Sequence, residues 1–361
     1  MLTAIIDSLL SRREEILGKL NVLMKQGDES ALEDLNWRNF QQGKVQDFPI
    51  AAVDGSMNYK LYKGFIIYAV GSEGVLLDND RISDVKQLGD VDVLIPFWLP
   101  EERIKLYMSI LEMKNAIYML VKNSRAFVLI DGSLSNLIMR PIRYVYSNTE
   151  INRKIEEEYF ETLQDDIEKL RNSIVSKNYT QEVFERYKDE YGVSEAQAAC
   201  FYLEYIEYLL SLRCLLSKYS ERIISVAKNS EDRSIFKLAI SDIAYLDVIT
   251  KTPGFTQGEN IVIKTIKRKL PVFWDFFKNL EFTVIYVRFS RGGPMLKLEI
   301  PYTLRSLSIV DILKTLQYTC VDGYPYPLMK AHRDVKITNK DMEAITKMLS
   351  VYWAKTGREM L

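Results

Sequence analysis

Short apolar runs alternate with polar stretches along the chain, and two of these runs end in the same way. Residues 50–56 read Ile-Ala-Ala-Val-Asp-Gly-Ser, and residues 127–133 read Phe-Val-Leu-Ile-Asp-Gly-Ser. Apolar runs of this length that are rich in β-branched residues are typical of strands buried on both faces of a sheet. A carboxylate at the carboxyl end of such a strand lies where open α/β sheets bind their ligands. Asp54 and Asp131 are therefore the first candidate site residues, and two carboxylates on neighbouring strands suit Mg²⁺ or Mn²⁺.

A hairpin turn is the alternative interpretation of each Asp-Gly pair. Asp-Gly is a strong turn signal, and Asn58-Tyr59 can begin a return strand. For either copy alone the turn is favoured. Two copies with the same apolar lead-in and the same trailing Ser favour a shared site, and at Asp54 both interpretations can hold.

The order of the predicted elements indicates a fold. Residues 61–71 and 73–78 are predicted as a second and a third strand, joined by a tight turn at Gly71-Ser72, so that the first three strands form an antiparallel meander. A helix from Pro100 to about Leu120 leads directly into the strand at 126–131, and this crossover places that strand parallel to the first. Three antiparallel strands, a helix and a parallel strand form the core of the RNase H-like α/β fold. In that fold, carboxylates on the first and fourth strands and on the helix share two metal ions.

The helix should then supply a third acid, and Glu112 is the preferred candidate over Glu101 and Glu102. Glu112 follows Leu111 and lies on the same helix face as Met108 through i, i+4 spacing. A Glu on an otherwise apolar stripe needs a partner. Without the fold argument, Glu112 is a residue at the boundary of the apolar face.

The remaining pattern predicts one large domain over residues 1–361. Residues 1–26 read as an amphipathic helix with an apolar face formed by Ile5, Leu9, Ile16, Leu20 and Leu23. Residues 151–220 read as almost wholly helical, either an insertion or a small subdomain. Residues 223–361 complete the core, with a strand at 223–228, a hairpin of 282–290 and 294–302, and helices at about 307–318 and 339–354.

The composition and the cysteine spacing argue against a membrane-spanning protein and against a metal site made of cysteines. Apolar residues make up 47% and charged residues 27% of the 361 positions, as in ordinary globular proteins. No apolar run has membrane-spanning length, and the three cysteines have no metal-ligand spacing, so we expect a reducing, cytoplasmic location. The net charge of −1 gives no argument for nucleic acid. Local clusters of cations are usually solvated faces but can also follow a phosphate backbone, and the candidates are Lys264, Lys267, Arg268, Lys269, Arg288 and Arg291.

Five segments in order carry a family resemblance. They are Ala-Val-Asp54-Gly-Ser with the strand at Tyr68-Ala-Val-Gly, the helix Arg103–Glu112, Leu-Ile-Asp131-Gly-Ser-Leu-Ser, Ser225-Val-Ala-Lys228-Asn-Ser230, and the most specific one, Gly323-Tyr-Pro-Tyr-Pro-Leu-Met-Lys330-Ala-His332-Arg-Asp-Val. Together they resemble the NurA family of archaeal and bacterial nucleases over most of the chain. The helical block at 151–220 is the part that matches least.

The resemblance implies a metal-dependent DNA nuclease, usually most active with Mn²⁺, that degrades DNA 5′ to 3′ and cuts single strands internally. It implies a homodimer that works with the hexameric ATPase HerA in resecting DNA ends for recombinational repair, and hence a nucleoid-associated protein. By matching positions, Asp54, Glu112 and Asp131 are the metal carboxylates, Tyr324 and His332 complete the site, and Lys228 contacts the phosphate. Lys264, Lys267, Arg268, Lys330 and Arg333 are the candidate DNA-binding cations.

His332 is the only histidine in the chain. A lone histidine is more often a surface or packing residue than a catalytic one. This one stands between Lys330 and Arg333 and follows Pro325-Tyr-Pro327, which limits the backbone. A neutral imidazole can bind a metal or orient water, and the cations beside it suit a phosphate. Tyr324 and Tyr326 are either core aromatics or platforms on which splayed bases stack.

Two rival functions remain. An actin-like ATPase also has Asp-Gly turns after strands, but it needs glycine-rich phosphate loops in both halves, and the chain has 16 glycines and no such loop. A catalytically silent RNase H-like scaffold that binds a DNA translocase is the other rival. The presence of all three carboxylates argues against it.

Overall fold

A computed structural model describes residues 2–24, 36–40, 48–139, 148–262, 270–301 and 308–350. Its strands are β1 (Arg38–Asn39), β2 (Ile50–Leu61), β3 (Ile66–Asp78), β4 (Arg81–Val93), β5 (Phe127–Asp131), β6 (Ile223–Ala227), β7 (Gly254–Phe255), β8 (Glu259–Val262), β9 (Glu281–Arg288), β10 (Leu296–Pro301), β11 (Cys320–Val321) and β12 (Tyr324–Pro325). Its helices are α1 (Thr3–Met24), α2 (Pro100–Lys122), α3 (Leu134–Met139), α4 (Thr149–Glu168), α5 (Thr180–Tyr191), α6 (Val193–Tyr219), α7 (Asp242–Ile249), α8 (Trp274–Phe277), α9 (Ile309–Tyr318), α10 (Tyr326–Val335) and α11 (Asn339–Met348).

The central sheet has the RNase H-like order. Its strands follow one another as β1-β7-β9-β10-β6-β5-β2-β3-β4, with β8 beside β9. Strands β2, β3 and β4 are antiparallel, whereas β5 lies parallel to β2 and β6 parallel to β5. The predicted fold class is therefore confirmed. The helix α2 makes the crossover between β4 and β5, as the pattern predicts.

The prediction of the second and third strands was wrong. Gly71 and Ser72 lie inside the single strand β3, and the chain turns instead at 62–65 and 79–80. Strand β2 extends to Leu61, so it pairs with β3 from Ile50↔Leu77 to Leu61↔Ile66 and leaves no break for a turn. The third strand is β4, an edge strand whose polar alternation reflects side chains that are partly exposed.

Gly74 of β3 lies in close contact with the helix α2. A Cβ on Gly74 would lie 2.6 Å from Met119 Cε and 2.7 Å from Asn115 Oδ1 of α2. The absence of a side chain therefore lets α2 pack closely against the sheet.

Helices cover both faces of the sheet. Helices α2 and α6 and most of α4 share one apolar core with Val53, Val128 and Ile130, and α9 and α10 pack against the other face. Buried ion pairs join the helices of the first face: Arg103 to Glu204 at 2.6 Å, and Lys114 to Asp166 and Glu207, each at 2.8 Å.

The helix α1 differs from the rest because its apolar side chains face solvent. Ile5, Leu9 and Leu20 are each about half exposed, and Ile16 is half-buried. The side chain of Leu23 lies outside the described residues. None of the helices within the described ranges combines the length and the hydropathy of a membrane span.

The structure adds a helix that the pattern does not predict. Helix α10 begins at Tyr326 directly after Pro325 and carries Pro327 in its first turn, where proline removes no helical hydrogen bond. The Pro-Tyr-Pro segment is thus the start of a helix, and His332 lies in that helix's last turn. The final helix α11 ends at Met348, and the predicted residues beyond 350 lie outside the described part.

Candidate metal centre

Two strand ends and one helix bring three potential ligands together. Asp54 of β2, Asp131 of β5 and His332 of α10 each offer a ligand atom, and these atoms all lie within 4.8 Å of one another. The parallel register that pairs Val53 with Ile130 places the two carboxylates side by side. Because directly paired residues share a face, both point toward α10.

The two Asp-Gly pairs differ in backbone structure. Strand β2 continues through Asp54 and Gly55 to Leu61, so the hairpin interpretation is wrong at Asp54. Strand β5 ends at Asp131, and Gly132 adopts a left-handed conformation with φ of +94°. Because most residues avoid positive φ, glycine suits this step, where the chain leaves the sheet and enters α3.

Asp54 is held in a crowded environment. Its carboxylate is buried, accepts a hydrogen bond from the Gly55 N–H at 2.8 Å, and lies with Oδ2 2.6 Å from His332 Nδ1. Burial and the charge of Asp131 raise the pKa of Asp54, while His332 and the Gly55 N–H oppose that rise. A cation between the two carboxylates would relieve their repulsion.

The donor set fits a divalent cation of the Mn²⁺ or Mg²⁺ class. Carboxylate oxygens are ligands that both ions prefer, and an imidazole nitrogen is better tolerated by Mn²⁺ than by Mg²⁺. The His332 side chain is 61% exposed, so the site is open to solvent on the side of α10.

Glu112 approaches the site from the opposite layer. A Cβ on Gly55 would lie only 2.7 Å from Glu112 Oε1, so the carboxylate occupies the space beside the residue that follows Asp54. Among the described residues, the cluster of mutually close ligand atoms contains Asp54, Asp131 and His332, and Glu112 is not one of its members.

Lys228 and Tyr324 border the cluster. Lys228 Nζ lies 3.5 Å from Asp131 Oδ2 and 4.4 Å from the centroid of the Tyr324 ring. Burial, and then Asp131 and Asp54, raise the pKa of the Tyr324 hydroxyl. The hydroxyl therefore stays protonated beside the two carboxylates, while the Lys228 side chain remains 37% exposed.

The candidate DNA-binding cations have different surroundings. Lys330 is mostly buried, pairs with Asp334 and lies 4.0 Å from Glu73 Oε1. Arg333 is exposed and donates to Asp334 at 2.7 Å. Lys264, Lys267 and Arg268 lie outside the described residues.

Glu73 is a site neighbour that the hydrophobic pattern of the sequence did not indicate. It is the partner of Asp54 in the β2–β3 register, is 1% exposed, and accepts a hydrogen bond from Gln87 Nε2 at 2.7 Å. An acid inside a run of apolar strand residues is the signal that could have identified it, because such a carboxylate needs a partner.

Known proteins are similar to this chain in sequence and in fold. The profile of the NurA domain matches residues 48–337. The DNA double-strand break repair nuclease NurA of Sulfurisphaera tokodaii is 28% identical over 97% of this chain and 96% of its own. The crystal structure of the NurA nuclease from Sulfolobus solfataricus has a TM-score of 0.71 at 22% identity, over 97% of each chain. A crystal structure of NurA bound to dAMP and manganese has a TM-score of 0.70 at 18% identity, over 99% of each chain. At these identities the structural likeness shows the fold alone.

Proposed function

The chain belongs to the NurA family, and on this premise we propose that it is a metal-dependent nuclease that hydrolyses phosphodiester bonds in DNA during double-strand break repair. The observation that carries the proposal is the cluster of Asp54, Asp131 and His332 at the edge of an RNase H-like sheet. Relatives named as DNA double-strand break repair nucleases support the substrate, and a NurA structure with dAMP and manganese supports the ion.

In this proposal the carboxylates hold the ions. Asp54 and Asp131 bind them from adjacent strands, and Glu112 completes the set across Gly55. Two bound Mn²⁺ or Mg²⁺ ions would polarise the phosphate and lower the pKa of the attacking water.

The residues around the carboxylates act on the substrate. Lys228 is partly exposed beside Asp131, so its ammonium can contact a phosphate oxygen. His332 is oriented by Asp54 through Nδ1, which leaves its other nitrogen free to orient water or a phosphate. Tyr324 presents a protonated hydroxyl next to the same carboxylates. Lys330, Arg333 and the cations at 264, 267 and 268 are proposed to follow the DNA backbone.

The finer features of the proposal come from family membership. We propose 5′ to 3′ exonuclease and single-strand endonuclease activity, a homodimer, and DNA end resection together with a HerA-type hexameric ATPase at the nucleoid in the cytoplasm. We also propose that residues 1–361 form one nuclease domain, with 151–220 as a helical insertion and 223–361 completing the active site.

Cleavage of labelled single-stranded DNA, with and without Mn²⁺, tests the proposal. We expect Asp131→Asn to lower the rate by orders of magnitude and to leave folding nearly intact, because Asp131 serves the metal and not the apolar core. Asp189→Asn, on the exposed face of α5, is the matched control and should cleave at the wild-type rate. Wild-type cleavage by Asp131→Asn would refute the assignment.

A further inference from the structure

A buried carboxylate on the other side of the sheet holds the loop that follows Asp131. Glu299 of β10 is fully buried. Its two oxygens accept hydrogen bonds from Ser133 Oγ at 2.7 Å, Ser135 Oγ at 2.7 Å and the Ser135 N–H at 2.8 Å. A charge taken out of water needs such partners, and all three belong to the four residues that follow Asp131.

The sheet register shows that Glu299 cannot be a ligand of the cluster. Glu299 pairs with Ser225 of β6, and Ser225 pairs with Ile130 of β5. Directly paired residues lie on the same face, so Glu299 shares a face with Ile130 and lies opposite Asp131. Any effect of Glu299 on the cluster must therefore pass through the loop.

The loop itself has little freedom between Asp131 and α3. The Gly132 N–H donates to the Val226 carbonyl at 3.0 Å, and Ser133 Oγ accepts from the Asn136 N–H at 3.1 Å. Gly132, Ser133 and Ser135 on the carboxyl side of Asp131 are therefore each held by at least one hydrogen bond. We propose that Glu299 is a positioning residue that sets the direction of the Asp131 carboxylate, and hence its affinity for metal. This inference rests on the proposed function.

Lys297 forms a buried ion pair with Glu299. Its ammonium lies 3.3 Å from Glu299 Oε1 and 3.2 Å from Asp232 Oδ2, and it is itself buried. Asp232 lies four residues after Lys228. The buried Lys297–Glu299 pair is therefore also connected, through Asp232, to the segment that carries Lys228 of the proposed site.

Direct Mn²⁺ binding tests the proposal, measured from the electron paramagnetic resonance signal of free Mn²⁺ at increasing protein concentration. We expect Glu299→Gln to bind Mn²⁺ about tenfold more weakly than wild type, since outer partners of metal ligands commonly contribute this much. The matched control is Glu207→Gln. Glu207 is also a fully buried glutamate that accepts from a lysine and from backbone N–H groups, those of Val175 and Ser176, but it lies on α6 away from the cluster. It should bind Mn²⁺ as wild type does.

Equal Mn²⁺ affinities in Glu299→Gln and wild type, or equal losses in both Gln variants, would overturn the positioning role. If Glu299→Gln does not fold, the double variant Ser133→Ala/Ser135→Ala takes its place, and wild-type affinity in that variant also overturns the role. A wild-type protein that binds no Mn²⁺ refutes both this inference and the proposed function. A wild-type protein that binds Mn²⁺ but cuts no DNA refutes only the proposed function, because the comparison of the two Gln variants still decides the role of Glu299.

Discussion

At the scale of single residues, the surroundings of Asp54 disfavour its ionised form. Burial and Asp131 raise its pKa above the value in the unfolded chain. An acid of this kind stabilises the fold when it is protonated, and that contribution is lost as the pH rises through the folded-state pKa. The charged form of Asp54 therefore destabilises the metal-free protein at neutral pH.

We accordingly expect Asp54→Asn to melt at a higher temperature than wild type in EDTA at pH 7. The difference should shrink when the pH is lowered toward 4, because Asp54 then becomes protonated. Thermal melts of both proteins at the two pH values measure this. A lower melting temperature for the variant at pH 7 would show that the ionised carboxylate stabilises the fold.

His332 should matter for turnover and not for folding, since its side chain is 61% exposed. We expect His332→Ala to lower the rate on single-stranded DNA by about 100-fold or more, as for the loss of a group that moves or orients a proton. Its melting temperature and DNA affinity should stay close to wild type. Glu343→Ala, at an exposed position of the following helix α11, is the control for surface effects. A variant that melts early and loses DNA binding in proportion would identify a structural histidine.

Single site residues could be predicted from the sequence pattern only where they stand at the end of an apolar run. Asp54 and Asp131 each end an apolar run, so local pattern was enough to pair them. The contact of His332 with Asp54 spans 278 positions, and without the family resemblance nothing local indicates it. Glu73 and Glu299 depend on the registers of β3 with β2 and of β10 with β6, which are fixed by tertiary packing.

At the scale of elements, the periodic helices could be predicted from the sequence, but the strand β3 could not, because it contains glycines. The periodic helices α2 and α4 to α6 follow from apolar spacing alone, whereas β3 was divided in two because Gly71-Ser72 resembles a turn. A glycine signals a turn and a close helix-to-strand contact in the same way. The packing of α2 explains Gly74, whereas Gly71 has no close contact with α2 and lies inside β3 because it pairs with Ser56 of β2 and Gly89 of β4.

The contact between Gly55 and Glu112 gives a test at this scale. We expect Gly55→Ala to move the end of the Glu112 side chain, since the new Cβ would lie 2.7 Å from its Oε1. The new Cβ would also lie 2.8 Å from Cδ and from Cγ of Glu112, so the whole side chain has to move, and we expect a loss of about 1–3 kcal/mol in stability. The Mn²⁺ concentration needed for half-maximal cleavage should rise.

Gly89→Ala on β4 is the control for that variant, because its Cβ would meet nothing closer than the Val70 carbonyl at 3.7 Å. It should keep the wild-type Mn²⁺ requirement. An unchanged requirement in Gly55→Ala as well would remove Glu112 from the proposed ligand set.

At the scale of the whole molecule, α1 contributes an apolar surface that the rest of the described chain does not cover. Ile5, Leu9 and Leu20 remain about half exposed. We expect deletion of residues 1–24 to leave the melting temperature nearly unchanged, because the helix buries little. The mass in solution or the binding of the proposed HerA-type ATPase should fall, since exposed apolar surface favours association.

Light scattering after size-exclusion chromatography, with a pull-down of the ATPase, measures both quantities for the deletion. Arg12→Ala, on the same helix, is the control for a change that spares the apolar residues. If neither mass nor partner binding changes in the deletion, α1 has no role in assembly.

The 278 positions between Asp54 and His332 also separate the two residues in the order of synthesis. Both strands of the site can form while α10 is still untranslated, but the three-residue cluster cannot. A chain still on the ribosome, or one truncated by a premature stop codon before residue 332, lacks a member of the proposed active site. The proposed nuclease activity, and the damage to DNA that it could do, is thereby postponed until residue 332 has been translated.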